Sequence, residues 1–301
     1  MIGGLAAFVG SSVGLSSYAF AIEPLYRLVV TRYRVRPAGW PSGLKLRLAL
    51  IADLHACEPW VGRHRIQEIV RVTNSLDADA ILLLGDYVAG HRFVMGRLDA
   101  AVWAPLLGKL DAPLGVHAIL GNHDWWDDPV AQRRGQGPTI AGRELEKAGI
   151  KVYENAAVRL RKNGVPFWLA GLGDQLALRP PRYGSRPRVK ALGVDDLPGT
   201  LAKVTDDAPV VLMAHEPDIF PVVPERVALT VSGHTHGGQF RVFGYSPVVP
   251  SEYGNRYAYG HIVEDARHLI VSGGLGCSIA PVRFGVPPEI VLVEIGQEPM
   301  A

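Results

Sequence analysis

Three short stretches carry coordinating side chains at close spacing: Asp53-Leu54-His55, Gly121-Asn122-His123-Asp124 and Gly233-His234-Thr235-His236. Two more, Gly85-Asp86 and Ala214-His215, have the same character. Each follows an apolar run, which puts polar groups at the mouth of a buried strand. A buried polar group needs a partner, and a buried charge needs one more urgently. Five of the ten histidines fall within these stretches. Imidazole together with carboxylate and amide oxygens suits first-row transition metals such as Mn, Fe and Zn, whereas Ca²⁺ takes oxygen ligands. On an extended segment the Asp-x-His and His-x-His spacings put both side chains on one face, where they can grip one ion or two neighbouring ions. The donors exceed the needs of one tetrahedral site, so two metals are the economical reading. Two ions about 3.5–4 Å apart bind both the attacking and the leaving oxygen of an in-line displacement. Taken singly, each residue has an ordinary explanation: an Asp after a strand caps a turn or helix, a lone His is a satisfied core residue, and an Asn tolerates a left-handed turn. At five strand ends these explanations would all have to coincide.

The elements that must position these groups read as alternating strands and helices. Residues 44–53 (LKLRLALIAD) form a buried strand, a helical pattern covers 64–76, and 79–85 is a second apolar run whose lack of alternation implies burial on both faces. A helix is expected over 96–110, followed by a third strand ending at Leu120. The second half carries strands at 167–173, 210–214, 227–232, 268–272 and 289–294. This order is that of a layered α/β fold, in which groups at the carboxyl ends of strands converge on one crevice. No internal repeat divides the chain after residue 44.

With 301 residues, 48% hydrophobic and 20% charged, the composition is that of a globular protein with a large core. A formal charge of +2 and the lack of a Lys/Arg run argue against nucleic acid as the partner. The two cysteines, Cys57 and Cys277, make no disulfide framework, and Cys57 reads as a buried spectator thiol. Residues 1–22 carry no charged side chain. At about 1.5 Å per residue a helix of that length would cross a bilayer core of about 30 Å, and it lacks the leading positive charge of a secretory signal. Arg27, Arg32, Arg34 and Arg36 follow, which by the positive-inside tendency leaves the body of the protein in the cytoplasm, associated with the inner membrane. The expected organisation is an apolar anchor at 1–22, a basic linker at 23–43 and one domain over 44–301. A soluble cytoplasmic protein and an exported one are the alternatives.

The five stretches, in this order over residues 53–236, resemble the calcineurin-like metallophosphoesterase superfamily, whose pattern is D-x-H, GD, GNH[DE], H and GH-x-H. The fuller segments GNHDWW, SGHTHGGQF and PVRFGVPPEI resemble its YkuE/YaeI-like bacterial membrane-associated phosphodiesterase branch. The resemblance implies a four-layer α/β sandwich, two mixed β-sheets flanked by helices. It further implies that Asp53, His55 and His236 hold one divalent metal, that Asp86 bridges to a second, and that Asn122, His215 and His234 complete the second. Mn is favoured among Mn, Fe and Zn. By the same resemblance a hydroxide bridging the metals attacks phosphorus, His123 stabilises the transition state or protonates the leaving oxygen, and Asp124 orients His123 from behind. Arg283, in PVRFGVPPEI, is assigned either to a substrate phosphate or to structure. The implied substrate is a small-molecule or lipid-linked phosphodiester or pyrophosphate, UDP-2,3-diacylglucosamine being one such compound, and no obligate protein partner is implied. Protein Ser/Thr phosphatases resemble the chain at Gly85-Asp86-Tyr87-Val88 but continue with an Asp-Arg pair. Ala89-Gly90-His91-Arg92 stands here, which disfavours that activity. A non-catalytic scaffold of the same fold is the competing reading, although such scaffolds usually lack the motif histidine present here as His123. The Pro/Arg-rich segment 179–188 is a loop whose basic groups could reach a ligand. His64, His91, His117, His261 and His268 lie outside the motifs.

Overall fold

Apolar runs that do not alternate are buried on both faces, and they make the two central layers of this molecule. The structure, a computed structural model, describes residues 14–180 and 191–296. In chain order its strands are β1 (Val29–Val35), β2 (Leu46–Ile51), β3 (Cys57–Glu58), β4 (Ala80–Leu83), β5 (Gly96–Arg97), β6 (Val116–Ala118), β7 (Lys151–Val152), β8 (Ala156–Lys162), β9 (Val165–Gly171), β10 (Val210–Met213), β11 (Val227–Ser232), β12 (Gly260–Glu264), β13 (Arg267–Val271) and β14 (Glu289–Ile295). One six-stranded sheet runs β1-β14-β2-β4-β6-β7 and a second runs β12-β13-β11-β10-β9-β8. Both are mixed. β2, β4, β6 and β7 are parallel while β14 runs antiparallel to β2. β9, β10, β11 and β13 are parallel, with antiparallel strands at both edges.

The alternation along each strand sorts the core into three layers. Leu48, Leu50 and Leu82 of the first sheet meet Leu169, Val211, Met213 and Val231 of the second. The opposite face of the first sheet, with Ile51, Ile81 and Leu83, packs on helices α1 (Arg63–Asn74), α2 (Ala100–Leu107) and the later α5 through Ile66, Ile69, Trp103, Leu107 and Leu145. Between α2 and α5 (Ile140–Lys147) lie the short helices α3 (Asn122–Trp126) and α4 (Pro129–Arg134). The outer face of the second sheet, with Ala170, Leu212 and Leu269, is covered by α6 (Leu197–Leu201) and by Phe220 and Tyr257. Helices, sheet, sheet and helices make four layers, as expected from the sequence.

The folded body begins earlier than residue 44. Val29–Val35, inside the segment read as a basic linker, is an edge strand parallel to β14 over its whole length. Its arginines obscure the pattern: Arg32 and Arg34 point to solvent on alternate positions while Val35 is buried, which is the period of a half-buried strand. Upstream, a helical stretch runs to Tyr26 and is tied to the body where Ala19 O accepts from Arg283 N at 2.9 Å. The Tyr18 ring meets Phe284 edge-on at 6.0 Å. Residues 1–13 of the expected anchor, and most of the 179–188 loop, lie outside the described residues. Among the described residues no helix is long and apolar enough to cross a membrane.

Candidate metal centre and its cleft

The predicted ligands come from carboxyl ends of parallel strands in both sheets. Asp53 and His55 follow β2, Asp86 follows β4, and Asn122 opens α3 just after β6. His215 follows β10, and His234 and His236 follow β11. Five of these seven, Asp53, His55, Asp86, His234 and His236, have left-handed φ between 44° and 68°. Non-glycine residues rarely adopt that region, and such conformations gather at functional sites. Here the reversal turns each chain end sharply, so side chains face the cleft instead of continuing the sheet. Gly121 permits the closest approach: a Cβ on it would collide with the Asp86 carboxylate and the His215 ring.

Two groups of donors result. Asp53, His55 and His236 have ligand atoms within 4.8 Å of one another, and so do Asp86, His215 and His234. Asn122 joins the second group, its Oδ1 lying 3.0 Å from His234 Nδ1. Asp86 Oδ2 stands between the groups, 3.7 Å from His55 Nε2 and 3.3 Å from His215 Nε2. His55 and His236 are stacked with Nε2 atoms 3.1 Å apart.

The surroundings fix which ring nitrogen is offered. His55 Nδ1 donates to Val88 O at 2.7 Å and His215 Nδ1 donates to Leu84 O at 2.6 Å, leaving both Nε2 lone pairs aimed into the cleft, an outer-shell arrangement typical of metal-binding histidines. Asp53 Oδ2 and His215 Nε2 are buried with no hydrogen-bond partner. Burial pushes Asp53 up to about 7 and His55 down to about 3. Burial also works to raise Asp86, but His215 and His123 beside it hold the carboxyl well below its usual range. Burial works to lower His215, but Asp86 and Glu216 beside it raise its pKa well above the usual imidazole range. Imidazole nitrogens and an unpartnered Asp53 oxygen gathered in a buried cleft fit divalent cations.

His123 reaches the same cluster, a ring nitrogen lying within 4.8 Å of ligand atoms of His55 and Asp86. Its N–H donates to Asp86 Oδ1 at 2.8 Å, and its ring lies between His55 and Trp126 at 5.0 and 5.2 Å. Ser278 Oγ is 3.5 Å from its Nε2. Burial lowers its pKa, against the opposing pull of the Asp86 carboxylate.

One expectation is corrected. The Asp124 carboxylate does not back the His123 ring; it accepts the backbone N–H groups of Asp86, Tyr87 and Gly121, each at 2.9 Å. Neighbouring helical residues do not face each other, so Asp124 turns inward and locks the Asp86 loop to the start of α3. Of the two roles open to Arg283, its surroundings favour the structural one: the side chain is fully buried. It donates to Gly276 O, Val286 O and Gly273 O at 2.9–3.0 Å and lies 3.2 Å from His236 Nδ1, behind the cleft. Cys57 is buried as expected, its thiol pushed up to about 11.

Several neighbours escaped the sequence reading. Asp174, three residues past β9, is a further polar strand end, and it forms with His215 and Glu216 a further buried donor group. Burial and the adjacent Glu216 raise the Asp174 carboxyl well above its usual range. Its position after a strand was available as a signal. Above the donors opens a cavity of about 450 Å³ whose lining includes Asp86, His123, His234 and His236 together with Trp126, Phe240, Val248, Ile279 and Val282. A second cavity of about 610 Å³ shares Trp126, His234 and Pro250 with it.

The family and its relatives agree with this geometry. The sequence profile of the calcineurin-like phosphoesterase family matches residues 46–238. The metallophosphoesterase YkuE of Bacillus subtilis is 28% identical over 97% of this chain and 93% of its own length. Phosphodiesterase YaeI of Escherichia coli is 30% identical over 83% of this chain and 82% of its own. A protein of Danio rerio named a transmembrane protein with metallophosphoesterase domain is 31% identical over 84% of this chain and 53% of its own. Among solved structures, a dimetal phosphatase from Danio rerio matches with a TM-score of 0.39 and 13% identity, over 76% of this chain and 88% of that one. The chain belongs to the calcineurin-like phosphoesterases, hydrolases of phosphoric esters built around a dimetal centre.

Proposed function

We propose that the protein hydrolyses a phosphodiester or pyrophosphate bond at a pair of divalent cations, with Mn favoured over Fe and Zn. Asp53, His55 and His236 would hold one cation, Asn122, His215 and His234 the other, and Asp86 would reach both. The observation that carries this reading is Asp86 Oδ2, within 4 Å of an imidazole from each donor group. Two cations so placed supply positive charge to the phosphoryl oxygens and make an ionised water available at neutral pH. The chain's own residues do the rest. Buried Nδ1–H donors to backbone carbonyls hold His55 and His215 in one tautomer. Asp124 fixes the loop that carries Asp86. His123 lines the cavity beside His55 and Asp86, where its ring would donate to a phosphoryl oxygen or pass a proton to the leaving oxygen.

A substrate joining a phosphoester to an apolar group, lipid-linked compounds included, suits a cleft whose upper wall is apolar. Leu15, Phe20 and Ile22 of the N-terminal helical stretch are exposed, which supports membrane association.

With Mn²⁺, the purified protein is expected to hydrolyse bis(p-nitrophenyl) phosphate and Asp86→Ala to lose that activity. Full turnover by the variant would remove the mechanism.

A further inference from the structure

The cleft is lopsided above its donors. One wall presents Phe240, Val248, Pro250, Ile279, Ala280 and Val282, and of these Phe240, Val248 and Ile279 are 40%, 66% and 69% exposed. Across the shared residues Trp126 and Pro250, the second cavity adds Gln175, Glu216, Asp218 and Glu252 to an apolar lining that includes Leu176 and Val249. Apolar side chains left in solvent beside a buried polar cluster mark a binding surface.

The apolar wall is also held rigidly. Gln239, nearly buried, accepts from Ser278 N at 2.5 Å through Oε1 and donates through Nε2 to Ala280 O at 2.9 Å and Val282 O at 3.0 Å. Gly90 bridges to Ser278 from the other side. Between these fixed points Ile279 has φ 64°. A β-branched residue is an outlier there, so the surrounding bonds hold a conformation the residue itself disfavours. The consequence is an isoleucine standing over the cavity rather than packed beneath it.

We propose that this wall is a subsite for an unbranched alkyl chain on one ester oxygen of the substrate, with the polar substituent lying in the second cavity and Ile279 as the specificity-determining residue. The proposal rests on the hydrolase reading above. The cavity opens directly onto Asp86, Asn122, His123, His234 and His236, so its occupant is attached to the phosphorus being attacked. About 450 Å³ is the size of a small-molecule pocket.

The test compares methyl and octyl p-nitrophenyl phosphate, the latter below its critical micelle concentration, on the full-length Mn²⁺-loaded protein. The octyl-to-methyl ratio of kcat/KM is expected to reach at least about tenfold, since each buried methylene adds to binding. Ile279→Asp and Val248→Asp are expected to bring that ratio close to one. A wild-type ratio near one, or an unchanged ratio in both variants, overturns the subsite while leaving the hydrolase reading intact. If neither ester is turned over, the hydrolase reading fails instead. Calorimetric binding of octylphosphonate against methylphosphonate then reads the wall without turnover: about tenfold tighter binding of the octyl compound supports the subsite and equal affinity overturns it.

Discussion

On the floor of the cleft, Asp53, His55, Asp86, His215 and His236 are at most 2% exposed. Lining the same cavity, Phe240, Val248 and Ile279 are exposed. The ordinary arrangement is inverted, with ionisable groups inside and large apolar groups outside. Each region has a cost that its own surroundings do not offset: the floor holds unpartnered buried atoms, and the wall holds a strained isoleucine. Both costs make sense if a ligand completes them, cations below and an apolar substituent above. The floor is preorganised by backbone bonds to Leu84 and Val88, the wall by one glutamine side chain.

The largest effect expected from breaking this contrast is on the floor. Asp86→Ala removes the group that faces both donor sets, and kcat/KM is expected to fall about 10³-fold or more, as several kcal/mol of charge stabilisation are lost; steady-state hydrolysis of bis(p-nitrophenyl) phosphate measures it. His123→Ala is expected to cost about 10²-fold or more in kcat while metal content, read by elemental analysis, stays at the wild-type level. Metal loss together with activity would make His123 a ligand instead. Saturating the floor should stabilise the fold: Mn²⁺ at about 100 times its Kd is expected to add about 2.7 kcal/mol to unfolding, seen in denaturation with and without a chelator.

The wall is expected to respond in the opposite direction. Ile279→Gly relieves the left-handed strain and should stabilise the protein by about 1 kcal/mol, raising Tm while the octyl preference falls. The smallest effect concerns a buried histidine that belongs to neither region. His117 is satisfied within the protein, Nδ1 accepting from Tyr153 OH and Nε2 donating to Leu114 O, each at 2.9 Å. Burial lowers its pKa, so the folded state prefers the neutral ring. Its contribution is therefore present above the unfolded value of about 6.5 and lost as pH falls below it. His117→Gln should flatten the fall in urea midpoint between pH 7.5 and 5.5 without changing hydrolysis at neutral pH; an unchanged slope would contradict the assignment.

The floor was legible in the sequence because each donor sits within a few residues of a buried apolar run, where a polar cluster stands out. Asp174 follows the same rule after Leu172-Gly173 but belongs to none of the five motifs, so its place after a strand is its one signal. The wall was illegible. Phe240, Val248 and Ile279 are ordinary apolar residues separated in sequence, and only Gln239, reaching across some 40 residues to residues 278–282, brings them over one cavity. Strand β1 was hidden by its own arginines, since alternate positive charges read as a linker until β14 supplies the pairing. The roles expected of Asp124 and Arg283 depended on where a side chain points, and spacing along the chain does not record that.

The central claim is that strand ends distant in sequence cage a pair of cations. Anomalous diffraction from Mn²⁺-soaked crystals tests it most directly. The structure predicts two peaks about 3.5–4 Å apart, one among Asp53, His55 and His236, the other among Asn122, His215 and His234, with Asp86 contacting both. A single peak, or none within reach of Asp86, would contradict it.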